Sequence, residues 1–363
     1  MRKCILLLIV VALSTNILIS VEFEYKKDPE PTHDDDMPFK TLKLVKKIGL
    51  DIDDKNFFAV PEAMAVDNWG NFYVYDRIVR KIFKFNKNFK CIKTFTTQGQ
   101  GPGEISGMGI GIGTLYCSDD GKLYVVDAGN GKLLIFDRNE KLLREINIAD
   151  IVVSPADLPY AVDKKGEIWI LNRKSYSINA YGSDWKMTRQ IPLDRKDMLK
   201  SFIHLPEYTQ PLSQKIVTSL NSMQLTIDLV SKNRVIGYFY NPTMICLLDK
   251  NRIIKKYHIL PKNVIKNYKA LLKGLGKKRM LDMRVPIAMT FFTDKDNRNF
   301  FYIVFDFNTL DAKTRYLGIY KFNLDGNLIE KFKTTEISRI VIKKNKLFYA
   351  VSSDGVKIYK EVK

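Results

Sequence analysis

Apolar and polar positions along this chain follow one unit, repeated at roughly 45 to 70 residue spacing. Each unit is a polar turn, an apolar run of about five residues closed by Asp or Asn, and a second apolar run. It reads Asp67-Asn68-Trp69-Gly70-Asn71 into Phe72-Tyr73-Val74-Tyr75-Asp76, and again Asp119-Asp120-Gly121-Lys122 into Leu123-Tyr124-Val125-Val126-Asp127. Further copies pass through 163–166 into Ile168-Trp169-Ile170-Leu171-Asn172, through 235–241, through 294–297 into 301–306, and through 343–345 into 347–351. The second runs include Ile82-Phe83-Lys84-Phe85, 133–136, 245–248, 319–322 and 356–359, followed by turns such as Asp325-Gly326-Asn327 and an outer, charge-bearing strand. Runs this short, bounded by turn residues, are strands. Strands at this density in a long repeat predict the blades of a β-propeller.

Six copies predict an all-β, six-bladed β-propeller, with seven blades as the main alternative. The last copy holds three strands up to Lys363, whereas 42–48 is strand-like and has no blade of its own. Pairing the two closes the ring with an N-terminal strand and removes an open edge. The composition, 45% hydrophobic and 12% aromatic over 363 residues, supplies a core. No linker-like stretch splits the repeat, so 42–363 is expected to be one propeller domain.

Residues 1–20 read as a secretory signal peptide: Met1-Arg2-Lys3, an apolar run from Cys4 to Leu13, then a weaker tail to Ser20. An uncleaved anchor is the alternative, although Ser14, Thr15 and Asn16 interrupt a spanning helix. Cys4 stands at the start of the apolar run rather than after it, so it is not placed as a lipid-bearing cysteine. Residues 21–41, with Asp34-Asp35-Asp36 and prolines, read as a disordered spacer. The expected location is therefore outside the cytoplasm: periplasmic, envelope-associated or secreted.

Cys91, Cys117 and Cys246 are an odd and widely spaced set and make no disulfide framework; they are expected as buried thiols. The net charge of +19 would ordinarily point to an acidic partner. Here the lysines are scattered over outer strands, and export disfavours nucleic acid.

Blade topology predicts where function sits. The first-to-second and third-to-fourth turns share one face and are short. Elaboration falls on the other face, in Gln98-Gly99-Gln100-Gly101-Pro102-Gly103-Glu104, 194–222, 261–286 and 308–315. The glycines from 99 to 113 lack the Lys-Ser/Thr pair and the following helix of a phosphate loop, so tight packing beside the central channel is the expected reason for them.

The string Gly99-Gln100-Gly101-Pro102-Gly103-Glu104, followed by 123–127 and 134–137, resembles bacterial six-bladed propellers related to NHL repeats. The resemblance is clearest over 61–148 and fades beyond Pro155. It implies the fold and export, and no particular chemistry.

Two kinds of propeller enzyme can be set against the residues. A zinc site of several histidines has only His33, His204 and His258 to draw on. A divalent-ion cage of carboxylate and amide oxygens has Glu62, but Tyr160, Gln224, Ala288 and Arg339 hold the corresponding places. No catalytic residue, metal ligand or cofactor is assigned. The expected function is an exported, non-catalytic propeller; a metal-dependent lactonase- or lyase-type hydrolase and a structural envelope module are the alternatives.

The candidate ligand-binding residues are Arg77, Gln98, Gln100, Glu104, Tyr160, Arg173 and Arg339, all on the elaborated face. Guanidinium groups there suit a protein carboxylate, an anionic small ligand or a glycan acid. The competing reading is that Asp76 and Asn172 cap their own loops and the arginines are solvated. A helical insertion is expected over 261–276, between blades four and five, with Val264, Tyr268, Leu271, Leu272 and Leu275 on one face and lysines on the other. It would pack on its own domain or make a peripheral membrane contact.

Overall fold

The computed structural model describes residues 37–49, 58–106, 112–150, 160–163, 165–172, 177–192, 225–230, 234–239, 244–249, 252–258, 288–308, 315–333, 340–352 and 355–362. The expected signal segment, the spacer up to residue 36, the 194–222 loop and the 261–276 helix lie outside the described residues.

Strand β1 (Phe39–Ile48) comes first. Blade 1 is β2 (Pro61–Val66), β3 (Phe72–Asp76), β4 (Lys81–Phe85) and β5 (Cys91–Phe95). Blade 2 is β6 (Ile112–Cys117), β7 (Leu123–Asp127), β8 (Lys132–Phe136) and β9 (Leu142–Asn147). Blade 3 runs through β10 (Tyr160–Val162), β11 (Ile168–Asn172), β12 (Ser177–Tyr181) and β13 (Met187–Pro192). Blade 4 runs through β14 (Leu225–Val230), β15 (Arg234–Phe239), β16 (Met244–Asp249) and β17 (Arg252–His258). Blade 5 is β18 (Ala288–Thr293), β19 (Phe300–Asn308), β20 (Arg315–Asn323) and β21 (Leu328–Lys333). Blade 6 has β22 (Ile340–Lys344), β23 (Leu347–Ser352) and β24 (Gly355–Glu361), and takes β1 as its fourth strand. The inner strands of successive blades lie against one another round the whole ring.

The repeat unit produces this packing through its period of two. In β3 all five residues are buried, because both faces of the strand are covered. Phe72 and Val74 enter a cluster with Ile48, Tyr349, Val351, Val356 and Ile358 of the closing blade. Tyr73 and Tyr75 turn the other way, to Leu115, Leu123, Val125 and Leu134 of blade 2. Blade 2 repeats the arrangement toward blade 3 through Tyr124, Val126 and Ile168. The core described is thus a set of layers, between blades 6 and 1, 1 and 2, 2 and 3, and 5 and 6, and outer strands such as β5 meet water on most positions.

The turns obey one local rule as well. Asp67 Oδ1 accepts hydrogen bonds from the N–H groups of Trp69 and Asn71, Asp163 Oδ1 from Lys165 and Glu167, and Asp137 Oδ1 from Asn139 and Lys141. Such side-chain acceptors hold the turn in place of a second backbone bond.

β1 closes the ring as expected and does more. Leu42–Ile48 lie antiparallel to β24, with Leu42 opposite Glu361 and Ile48 opposite Val356. The strand starts at Phe39 rather than Leu42, because Phe39, Lys40 and Thr41 pair in parallel with Lys331, Phe332 and Lys333 of β21 in blade 5. Its C-terminal end passes so close over Gly355 (φ 124°) that a Cβ there would sit 2.1 Å from the Ile48 carbonyl oxygen. Lys40 Nζ donates to Glu330 Oε1 of β21 and to Glu361 Oε1 of β24, 2.6 Å each, and Lys321 also donates to Glu330.

The hydrogen bonds to Glu330 and Glu361 raise the Lys40 ammonium pKa. Burial pushes the Glu330 carboxyl up, but the hydrogen bonds from Lys40 and Lys321 outweigh it and leave the group below its ordinary 4.5. A carboxylate held below its unfolded value stabilises the fold above that value and loses its contribution as pH falls through the folded one. Lys40→Met should therefore lower stability by about 0.5–1 kcal/mol at neutral pH, Lys40 being substantially exposed. Urea unfolding should show that deficit shrinking as the pH is taken below 4.5. A deficit that stays constant to pH 3 would contradict an ionic clasp.

Candidate functional site

On the loop face, the acid that closes the apolar run in blades 1 and 2 is part of the scaffold. Asp76 is fully buried. Its Oδ2 accepts from the Val60 N–H at 2.8 Å and its Oδ1 from the N–H groups of Ile78 and Val79 at 2.9 Å. One carboxylate thus joins the second-to-third turn to the residue leading into the inner strand. Asp127 repeats this in blade 2, accepting from Ser106 N–H and from both nitrogens of Asn130. Burial pushes its carboxyl up, opposed by those donors. The capping reading therefore holds for Asp76.

Arg77 follows directly and is exposed, as is Ile78 beside it. Its backbone N–H is bound to the Val60 carbonyl, while Nε lies 3.9 Å from Glu62 Oε2 on inner strand β2. The pair is loose at that distance, and the Arg77 side chain is 44% exposed, so the five-donor guanidinium has capacity for a further partner.

The glycine-rich run has a definite fold. Gln98 and Ile105 form a bridge, and the N–H of Gly99 donates to the Ile105 carbonyl at 2.9 Å. Glu104 curls back so that its Oε2 accepts from the Gly101 N–H at 2.7 Å. A Cβ at Gly99 would lie 1.9 Å from that same oxygen, so a side chain there would push the Glu104 carboxylate out of its place. The run is held onto blade 2: Asn130 Nδ2 donates to the Gly99 carbonyl, Lys132 Nζ to the Gln100 carbonyl, and the Gly103 N–H to Glu145 Oε2. Its first half therefore covers strands β8 and β9, which corrects the expectation of packing beside the channel. The connection must travel from outer strand β5 to inner strand β6, and residues 99–104 occupy the outer part of that path; 107–111 lie outside the described residues.

Of the candidate ligand residues, Gln98, Gln100 and Glu104 sit in this one loop, Glu104 committed to it and both glutamine side chains exposed. Arg77 turns instead to Glu62 of its own blade. Tyr160 opens β10, its backbone opposite Ile170. Its side chain, together with Arg173 and Arg339, lies outside the described residues. Cys91 and Cys117 are not joined in a disulfide and are half-buried, both packed against apolar clusters. Cys246 lies in β16 with its side chain outside the described residues. Among the described residues no group of three His, Cys, Asp or Glu is placed to hold a metal ion.

The short-turn face is joined from blade to blade. Glu140, at the third-to-fourth turn of blade 2, pairs with Lys84 and Lys93 of blade 1 while only 5% exposed. Asp296 of blade 5 accepts from the N–H groups of Asn345 and Lys346 of blade 6. Burial pushes the Asp296 carboxyl up, and those donors with Lys343 outweigh it and bring it below its ordinary value. No composition or spacing signal announced these pairs, since each joins residues of different repeats.

Six four-stranded blades, closed by an N-terminal strand, make this an all-β, six-bladed propeller. Residues 35–196 match a family model described as "6-bladed beta-propeller", the class that the Gly99-Gln100-Gly101-Pro102-Gly103-Glu104 string resembles. No curated protein matches the sequence. Solved structures share the fold at low identity. A member of the duf4221 family from Bacteroides vulgatus aligns with TM-score 0.58 and 12% identity, over 88% of this chain and 97% of that one. A candidate exported protein from Bacteroides fragilis aligns at 0.52 and 13%, over 91% and 98%. Virginiamycin B lyase from Staphylococcus aureus aligns at 0.51 and 11%, over 88% and 100%.

If Glu104 holds the loop through Gly101, Gly99→Ala must displace it. Gly99→Ala and Glu104→Ala are each expected to cost at most about 1.5–3 kcal/mol, the range for a hydrogen bond to a charged group. The double variant should cost no more than Glu104→Ala alone. Chemical unfolding of the three variants measures this, and additive losses would refute the shared contact.

Proposed function

We propose that the protein is an exported, non-catalytic propeller that binds a carboxylate-bearing partner, such as an acidic glycan or an acidic protein segment, on its loop face. The observation that carries the reading is Arg77: an exposed guanidinium at the end of an inner blade turn, held by its backbone and loosely directed by Glu62. A guanidinium fork fits planar oxyanions with two parallel hydrogen bonds. Many polar side chains of the short-turn face, by contrast, are engaged between blades. Gln98 and Gln100 add exposed amides on the loop face.

Export is supported by the basic start and apolar run of residues 1–13, and by the likeness to a candidate exported protein. The likeness to a lyase, at 11% identity, brings the fold and no chemistry. A metal-dependent hydrolase and a structural envelope module remain the rival readings, without an observation of their own in their favour.

The test starts from protein secreted by a bacterial host, its N-terminus read by mass spectrometry and expected near Val21. Titration calorimetry with uronic-acid oligosaccharides and with a Glu-rich peptide then compares it with Arg77→Ala. Binding to one of these, weakened about tenfold or more by the substitution, which is roughly 1.4 kcal/mol, is the expected result. Equal affinity of the two proteins, or binding to neither probe, would overturn the reading.

A further inference from the structure

Blades 2 and 5 stand opposite each other in a ring of six, so any contact between their turns crosses the central axis. The structure contains such a contact. Arg298, in the first turn of blade 5, forms an ion pair with Asp119, in the first turn of blade 2, 179 residues away. Neither side chain is far exposed, at 20% and 32%. Beside it, Lys295 of blade 5 places its ammonium 5.1 Å from the centre of the Tyr116 ring on the inner strand of blade 2.

The pair belongs to a closed circuit. The Asp119 carbonyl accepts from Asn68 Nδ2 of blade 1 at 2.9 Å. Asn68 Oδ1 in turn accepts from Lys344 Nζ of blade 6 at 3.0 Å. Lys344 Nζ also donates to the Lys295 carbonyl of blade 5 at 3.2 Å, which returns to the blade where the circuit began. Four of the six blades are therefore joined through polar groups at one end of the channel. Lys344 is buried among them, and burial lowers its pKa against the pull of Asp296. Charged groups removed from water are retained when they find partners of this kind.

We infer that this circuit is a latch that closes the short-turn mouth of the channel, so that nothing passes through the ring from that end. A channel closed at one end takes a compact ligand or the end of a chain. It does not let a polymer thread through. The latch is independent of Arg77; the choice of ligand shape rests on the loop-face reading and deepens it.

The test joins the two turns directly. In Asp119→Cys/Arg298→Cys, a bis-maleimide with a two-carbon spacer should convert most of the folded protein into an internally linked chain, identified by mass spectrometry of the linked peptides. A charge exchange supplies the second reading: Asp119→Arg and Arg298→Asp should each lower the thermal midpoint, and together recover most of the loss. If both cysteines take up a monofunctional maleimide yet never become linked, or if the exchanged pair is as unstable as the sum of the single variants, the latch is refuted. Either result leaves the Arg77 titration to stand or fall separately.

Discussion

The structure depends on how its ring is closed. Blade 1 buries its second strand on both faces because a neighbour covers each of them. A ring with a gap would expose two such faces and two unpaired strand edges at once. β1 prevents this by supplying the outer strand of blade 6 and by hydrogen bonding to the outer strand of blade 5. Its apolar residues divide accordingly: Ile48 enters the layer shared with blade 1, and Leu42 packs against the layer between blades 5 and 6. Lys40 adds an ionic tie to both partner strands.

Once closed, the ring makes its two faces unequal. Short turns built around Asp and Asn acceptors leave little slack on one side, and they meet across blades through Glu140, Asp296 and Arg298. The longer connections on the other side are free to vary as long as each returns to an inner strand. The Gly-Gln-Gly-Pro-Gly-Glu run shows how such a connection can be rigid without belonging to a sheet. Glu104 organises it from within, and Asn130, Lys132 and Glu145 fix it from below.

Much of the fold was legible because it is written locally. Runs such as Phe72-Tyr73-Val74-Tyr75-Asp76 state their strand character, their burial on both faces and their capping acid in five residues. β1 was legible from arithmetic on the blades, since one copy had three strands and 42–48 had no sheet. Phe39–Thr41 were not, because their partner is β21 of another blade and their local composition is that of a spacer. The same reason hid the Arg298–Asp119 pair, whose members have no relation in sequence. At the candidate site, the place of Arg77 directly after the second strand of its blade could be read from the repeat alone. That Glu104 serves its own loop could not, because a carboxylate aimed at solvent and one folded back onto a glycine N–H have the same sequence.

The central claim is that β1 completes the propeller, and removing it tests this most directly. A chain beginning at residue 50 would be compared with one beginning at residue 37 by thermal unfolding, with and without a synthetic peptide of residues 37–49. The account predicts that the shorter chain loses the cooperative transition and that the peptide restores it. A shorter chain that unfolds cooperatively at the same temperature, indifferent to the peptide, would contradict the closure described here.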